Sequence, residues 1–338
     1  MAAAPAFLII QTAFIGDVVL ATALAEKLHR HRPEASIDFL LRKGNEDLLK
    51  GHPFLRNIIV WDKKKGKIKN LLKLIWQVRA TRYDYVINVH RFASSGLITA
   101  FSGAGVTVGF DKNPLSVFFT RSKKHVLAKG IHEVQRNQTL IREITDEHPA
   151  KPRLYPSHSD QESIMKYRQH RHSAIPYICI APASVWFTKQ FPREKWIEFI
   201  DRLEPGLTSV YLLGAASDHE YAEAIRNKAK HPGVVNLSGK LSFLESAALM
   251  QHAKMNFVND SAPLHLASAI NAPVTAIFCS TVPDFGFGPL SDRSFIVETA
   301  EPLTCRPCGL HGFKSCPQEH FKCALTITNE QLISSLKI

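Results

Sequence analysis

The chain has 338 residues, 45% of them hydrophobic and 21% charged, with a formal net charge of +12. That balance excludes a disordered chain, and the length allows two domains with full cores. No run approaches the ~20 consecutive apolar residues of a membrane-spanning helix.

In chain order, residues 1–25 are apolar enough to suggest a signal peptide. They lack a basic leading region and are interrupted by Gln11 and Asp17, so they read as a strand and then a helix. The protein is therefore expected to stay in the cytoplasm. Short β-branched runs follow at 7–10, 37–41, 58–61, 85–89 and 106–109, with helical patterns at 18–30 and 68–81 between them. Residues 148–159 hold Pro149, Pro152 and Pro156 without apolar periodicity, which marks a linker. Strand runs resume at 177–181, 210–213, 234–237, 255–258 and 274–278. Helical patterns at 193–203, 218–230, 243–252 and 263–270 alternate with them. Such alternation predicts parallel sheets built from βαβ units. Two doubly wound α/β domains, 1–150 and 151–338, are expected, with ligands at the carboxyl ends of their strands.

Charge is uneven. Residues 1–150 carry 23 basic and 13 acidic side chains, a net of +10, and the densest run is Lys63-Lys64-Lys65 with Lys67, Lys69 and Lys73. A solvated helix face is the ordinary meaning of such a run. A whole half biased this way points instead to an anionic partner. No zinc-finger spacing or aromatic–basic motif favours nucleic acid, and none is expected.

Several loops at predicted strand ends carry groups suited to chemistry. Gly16-Asp17 follows the first strand; Gly16 allows a turn, and Asp17 is either a helix-start carboxylate or a general base. His90-Arg91 end the fourth strand, where they are either a plain exposed end or a contact for an anionic acceptor. Ser184 and Lys189 lie in a loop that leads to Pro192 and a helix, which is either a place for a diphosphate or a surface loop with one solvated lysine. Gly214, in a small-residue loop before Asp218, would let a ligand approach closely. The turn Asn259-Asp260-Ser261-Ala262-Pro263 ends a buried strand and opens a helix, so it is either an ordinary N-cap or a place where backbone N–H groups meet a phosphate. Cys305, Cys308, Cys316 and Cys323 form a C-x2-C-x7-C-x6-C pattern that suggests a structural zinc, with reduced thiols and oxidised pairs as alternatives and His311 or His320 as competing ligands. Cys179 and Cys279 lie in strand patterns and read as core.

At these residues the chain resembles the family 9 glycosyltransferases, the ADP-heptose:lipopolysaccharide heptosyltransferases. The resemblance runs from Phe7 to Cys323. Its carriers are Ile15-Gly16-Asp17-Val18-Val19, Pro182-Ala183-Ser184 with Lys189-Gln190-Phe191-Pro192, Leu213-Gly214 with Asp218-His219-Glu220, Asn259-Asp260-Ser261 with Leu264-His265, and the cysteine cluster. It is closer to the second heptosyltransferase branch. It implies a GT-B fold, two Rossmann-like doubly wound domains facing a central cleft, with the acceptor on the first and the sugar nucleotide on the second. Asp17 would be the catalytic base. Ser184 and Lys189 would face the phosphates, Asp260 the transferred sugar, with Ser261, Ala262 and His265 along the same turn and Gly214, Asp218 and Glu220 near the nucleoside. Gly16, Lys63, Lys64, Lys65, His90 and Arg91 would meet the acceptor. Ala262 stands where the family usually has glycine.

The implied reaction is an inverting transfer of heptose from ADP-heptose to the inner core of a lipopolysaccharide precursor. No Asp-x-Asp motif is present, so no cofactor is expected to be required for catalysis. The acceptor places the enzyme peripherally, at the inner face of the cytoplasmic membrane. Another GT-B sugar-nucleotide enzyme, a glycosyltransferase or an epimerase, and a non-catalytic sugar-nucleotide-binding protein are the competing readings.

Overall fold

Strand β1 (Ala6–Ile10) leads at once into α1 (Ile15–His31), and this strand-then-helix step recurs along the chain. A computed structural model describes residues 4–64, 66–169 and 175–337. They fall into two compact units that divide between Tyr155 and Pro156.

In the first unit, β2 (Ser36–Arg42), β3 (Leu55–Trp61), α2 (Lys67–Thr81), β4 (Tyr85–Asn88), α3 (Ala93–Ala100), β5 (Val106–Phe110), β6 (Arg121–Lys123) and α4 (Glu133–Gln138) follow. The sheet is parallel, in the order β3-β2-β1-β4-β5-β6. Leu8, Ile9 and Ile10 are fully buried, as parallel strands covered on both faces require. Helix α1 is rich in Ala and Leu, carries Asp17 in its first turn and His29, Arg30 and His31 in its last, and so suits its own dipole.

The closing segment of this unit is fastened to α1. The buried Lys27 ammonium donates to the carbonyls of Asp146 (2.6 Å) and His148 (2.8 Å) and pairs with the Asp146 carboxylate at 3.0 Å. Further on, Arg153 N donates to Thr22 Oγ1 (2.9 Å) and the Tyr155 hydroxyl to Glu26 (2.8 Å). The proline-rich stretch expected as a linker therefore packs on the first unit as far as Tyr155.

The second unit begins with α5 (His158–Gln169) and continues through β7 (Tyr177–Ala181), α6 (Arg193–Asp201), β8 (Ser209–Leu212), α7 (His219–Lys228), β9 (Val234–Asn236) and α8 (Phe243–Gln251). It closes with β10 (Met255–Asn259), α9 (Ala262–Ala269), β11 (Val274–Phe278), β12 (Ser294–Glu298), α10 (Lys322–Leu325) and α11 (Asn329–Ser334). Its parallel sheet runs β12-β11-β10-β7-β8-β9. Phe191, Trp196, Phe199 and Phe257 fill the core beneath it. Counted within each unit, the two strand orders are the same. Each reverses direction beside its first strand, between β1 and β4 and between β7 and β10. Ligands of doubly wound sheets bind outside the carboxyl ends at such switch points.

Candidate active site

Asp17, His90, Ser184, Lys189 and Asp260 follow the strands that flank these two switch points. In the first unit Asp17 follows β1 and His90-Arg91 follow β4. Helix α1 starts at Ile15, so Gly16 is helical and makes no separate turn, contrary to the expected reading. Asp17 sits in the first turn, half-buried, and its Oδ2 accepts from Phe14 N at 3.2 Å. Burial first, then the nearby Glu133 charge, push its carboxyl up to about 6, against the opposing pull of backbone N–H groups and Arg91. It caps the helix, and its proton affinity is also lifted close to neutrality.

Next to it lies a cluster that the sequence did not disclose. Lys63 follows β3 and folds back onto the end of β1. Its ammonium donates to the Thr12 carbonyl (3.0 Å) and hydroxyl (2.9 Å) and sits 4.6 Å over the Trp61 ring. Thr12 Oγ1 lies 3.0 Å from His90 Nδ1, and its proton is left free for that ring nitrogen. His90 is buried, and burial with the Lys63, Arg91 and Arg42 charges brings it down to about 4, so it is neutral at physiological pH. The expected cationic contact therefore falls to Arg91 alone, which is exposed. Lys63 is lowered to about 8 by burial and by Arg42 and Lys67. Lys64 is exposed, and Lys65 lies outside the described residues. One other buried carboxylate, Asp38, is fully occupied: Arg56 grips it with two bonds of 3.0 and 2.8 Å, and Asn57 and Tyr83 donate to it as well.

In the second unit the loop after β7 meets the turn after β10. Lys189 Nζ pairs with Asp260 Oδ2 at 2.6 Å, and Thr281 Oγ1 donates to the same oxygen at 2.6 Å. Asn259 joins the two segments: its Oδ1 accepts from Phe191 N (2.9 Å) and its Nδ2 donates to the Pro182 carbonyl (2.9 Å). Ser184 is partly buried beside Val185, and its carbonyl accepts from Gln190 Nε2 at 2.6 Å. Ser261 precedes α9, Ala262 opens it and Pro263 follows in its first turn, so the positive end of α9 lies beside the Asp260 carboxylate. His265 is buried, edge-on to Phe287 at 6.2 Å.

Gly214 has a structural reason of its own. A Cβ there would lie 3.0 Å from Asp218 and 3.1 Å from Ser238 Oγ, so the small residue admits the Asp218 carboxylate, which accepts from Ala215 N at 2.8 Å. Glu220 is exposed on α7.

The cysteine-rich segment lies across the Lys189 loop. Phe313 and Thr188 exchange two bonds, Thr188 N to the Phe313 carbonyl (3.1 Å) and Phe313 N to Thr188 Oγ1 (2.8 Å). Gly312, at φ +76°, passes so close that a Cβ would come 2.8 Å from Thr188 Oγ1 and 3.2 Å from Lys189 Cγ. Arg306 donates to the carbonyls of Phe278, Cys279 and Thr281 and to Glu298, which anchors the segment to the end of β11. Cys305 Sγ lies 3.8 Å from His320 Nε2. Among the described residues no three His, Cys, Asp or Glu side chains form a group that could hold a metal ion, although the Cys323 thiol is raised by burial first and then by the charges of Cys308, Cys316 and Cys305 nearby.

Two doubly wound units of one strand order are the GT-B architecture of glycosyltransferases. Residues 71–310 match glycosyltransferase family 9 (heptosyltransferase), and the chain belongs to that family. It is 27% identical over 278 residues to lipopolysaccharide heptosyltransferase 3 of Escherichia coli, covering 79% of this chain and 82% of that one. To lipopolysaccharide heptosyltransferase 1 of Pseudomonas aeruginosa it is 25% identical, over 89% of this chain and 85% of the relative. Its fold is similar to that of the Escherichia coli ADP-heptose lipopolysaccharide heptosyltransferase II, with a TM-score of 0.81 at 21% identity, covering 98% of this chain and 97% of that one. These relatives span all three numbered types, so they do not single out the second branch that the motifs favoured.

Proposed function

We propose that the protein transfers a heptose from ADP-heptose to the core of a lipopolysaccharide precursor with inversion at the anomeric carbon, Asp17 acting as general base. The observation that carries this reading is the place of Asp17 in a heptosyltransferase family chain, in the first turn of α1 directly after the switch-point strand β1, with its carboxyl lifted by burial to about 6. A base with that proton affinity is mostly ionised at pH 7 and still basic enough to accept a proton.

In the proposed step Asp17 removes the proton of an acceptor hydroxyl as the oxygen attacks the anomeric carbon. The bond from that carbon to the diphosphate breaks, and negative charge develops on the departing ADP. Lys189 and the positive end of α9 stabilise that charge. Lys189 starts from its pair with Asp260, so the diphosphate must share or take over this ammonium. Asp260, held by Thr281, is then available to the sugar. Ser184, Ser261, Ala262 and His265 are proposed along the same donor path, with Gly214, Asp218 and Glu220 toward the nucleoside. The first unit, with Gly16, Lys63, Lys64, Lys65, His90 and Arg91, is proposed to receive the acceptor. His90 would contribute there as a neutral hydrogen-bonding group. We assign the cysteine cluster to holding the closing loop. The zinc version rests on spacing alone: one zinc per chain by elemental analysis would carry it, and four titratable thiols would exclude it.

The test is turnover. Purified protein given ADP-heptose and a heptose-deficient core acceptor should release ADP and yield a product of inverted anomeric configuration. Release of nucleotide only from other sugar nucleotides would overturn the donor assignment. Binding of ADP-heptose with no transfer to any core acceptor would favour a binding protein.

A further inference from the structure

Helix α2 carries an apolar stripe on its outer face. Ile68, Leu72 and Trp76 follow one another at intervals of four residues, and they are 75%, 57% and 78% exposed. Four-residue spacing stacks side chains on one side of a helix. The inward side is formed by Leu74 and Val78, which are buried, so the stripe is additional to what the fold uses. Beside it along the helix stand Lys69 and Lys73, both exposed, and Lys67 and Arg79 complete a helix without an acidic residue. Lys67 and Lys69 in the first turn oppose the helix dipole, an arrangement that helix stability alone would not select. Exposed Leu, Ile and Trp bordered by lysines are the composition of a helix lying in a bilayer interface.

We propose that α2 docks this protein on an anionic membrane surface, with Ile68, Leu72 and Trp76 entering the headgroup region and Lys69 and Lys73 meeting lipid phosphates. Charge complementarity selects this occupant. A second copy of the chain would bring lysine against lysine, whereas an anionic bilayer answers both the stripe and its charge. Position supports it as well. The loop entering α2 includes Lys63, which is bonded to Thr12 at the end of β1. A surface held by α2 therefore lies along the same unit as the strand ends proposed to receive the acceptor. The inference rests on the reading of a lipid-borne acceptor, and it names the part of the chain that reaches the lipid.

The experiment is flotation with phosphatidylcholine vesicles, with and without phosphatidylglycerol, at low and high salt. The wild-type chain should float with the anionic vesicles. Ile68→Ser/Leu72→Ser/Trp76→Ser should lose roughly tenfold or more in binding at every salt concentration, because the apolar contribution is not screened. Lys69→Gln/Lys73→Gln should lose most at low salt. The triple variant should keep the wild-type melting temperature and its turnover of a deacylated, soluble acceptor. Brominated lipid should quench the exposed Trp76 in the wild type. Wild-type flotation by the triple variant, or no flotation of the wild type, overturns the proposal. So does a triple variant that only dissociates a dimer. A chain that floats through α2 yet transfers no heptose leaves this inference standing and removes the functional reading instead.

Discussion

The two units share one strand order but equip their switch points differently. In the first, Asp17, His90 and Lys63 are held partly out of water, and each is moved away from its ordinary proton affinity, Asp17 upward and the other two downward. In the second, the groups are fixed to one another: Lys189 on Asp260, Thr281 on Asp260, Asn259 across two segments. On the proposed reading the first site moves a proton, and the second holds an anion with the ammonium that Lys189 lends to Asp260 at rest. In the proposed reaction one repeated fold would separate acid–base work from electrostatic work, since a doubly wound sheet fixes where a ligand binds and leaves the chemistry to the loops.

The largest effect that would test this contrast is at Asp17. Asp17→Asn keeps the acceptor for Phe14 N but cannot take a proton, so turnover should fall ~10²–10⁴-fold while ADP-heptose affinity is unchanged. In the wild type, activity should rise with pH through about 6 as Asp17 ionises, and that limb should vanish in the variant. Stability should move the opposite way. A carboxyl whose folded pKa lies above the unfolded value contributes stability at low pH that is lost as pH rises through about 6. Asp17→Asn should therefore melt higher than wild type at pH 7, by the equivalent of about 1–3 kcal/mol, and not at pH 4. Equal turnover and equal melting curves would reduce Asp17 to a helix cap.

On the other side of the contrast, Lys189→Ala should weaken ADP binding by roughly 1.5–3 kcal/mol in calorimetry, the scale of a charge-assisted hydrogen bond. The Asp17 pH limb should survive in this variant. Gly312→Ala tests whether the cysteine-rich segment sets the Lys189 loop. Its left-handed backbone alone disfavours a side chain by about 1 kcal/mol, and the added methyl meets Thr188 and Lys189. A lower melting temperature together with weaker ADP binding is expected; weaker stability with full affinity would uncouple segment and site. Thr281→Val removes one of the two donors to the Asp260 oxygen and should shift donor affinity by about 1 kcal/mol, leaving turnover of bound donor nearly unchanged.

Much of the architecture was legible because the parallel strands are continuous apolar runs, such as Tyr177–Ala181, and each predicted run meets a strand. Two strands escaped for physical reasons. Strand β6 is Arg-Ser-Lys, an edge element with no apolar signal, and β12 is an edge strand with Ile296 48% exposed. Helix α3, Ala-Ser-Ser-Gly-Leu-Ile-Thr-Ala, runs against propensity and forms because Ser95, Gly96, Ile98 and Thr99 are buried. At the candidate site, Asp17 and Lys189 stood out by their place after strands. Thr12, Thr281 and Arg306 did not, since their partners lie far off in sequence: Thr12 bonds Lys63, Thr281 bonds Asp260, and Arg306 reaches back to Phe278. The neutrality of His90 is a matter of burial, which no local pattern records.

The hold of residues 151–155 on α1 bears on exchanging parts between related enzymes. A graft of the first unit, proposed to receive the acceptor, that ends at residue 150 would leave Thr22 and Glu26 on α1 without the Arg153 N–H and the Tyr155 hydroxyl. It would also strip the Tyr155 ring from His52 and uncover ground that Leu154 seals. A chimera joined after Tyr155 keeps this seam with the half it closes. On the proposed reading, acceptor preference should then be transplantable as one cassette, with its own tail as the fastening.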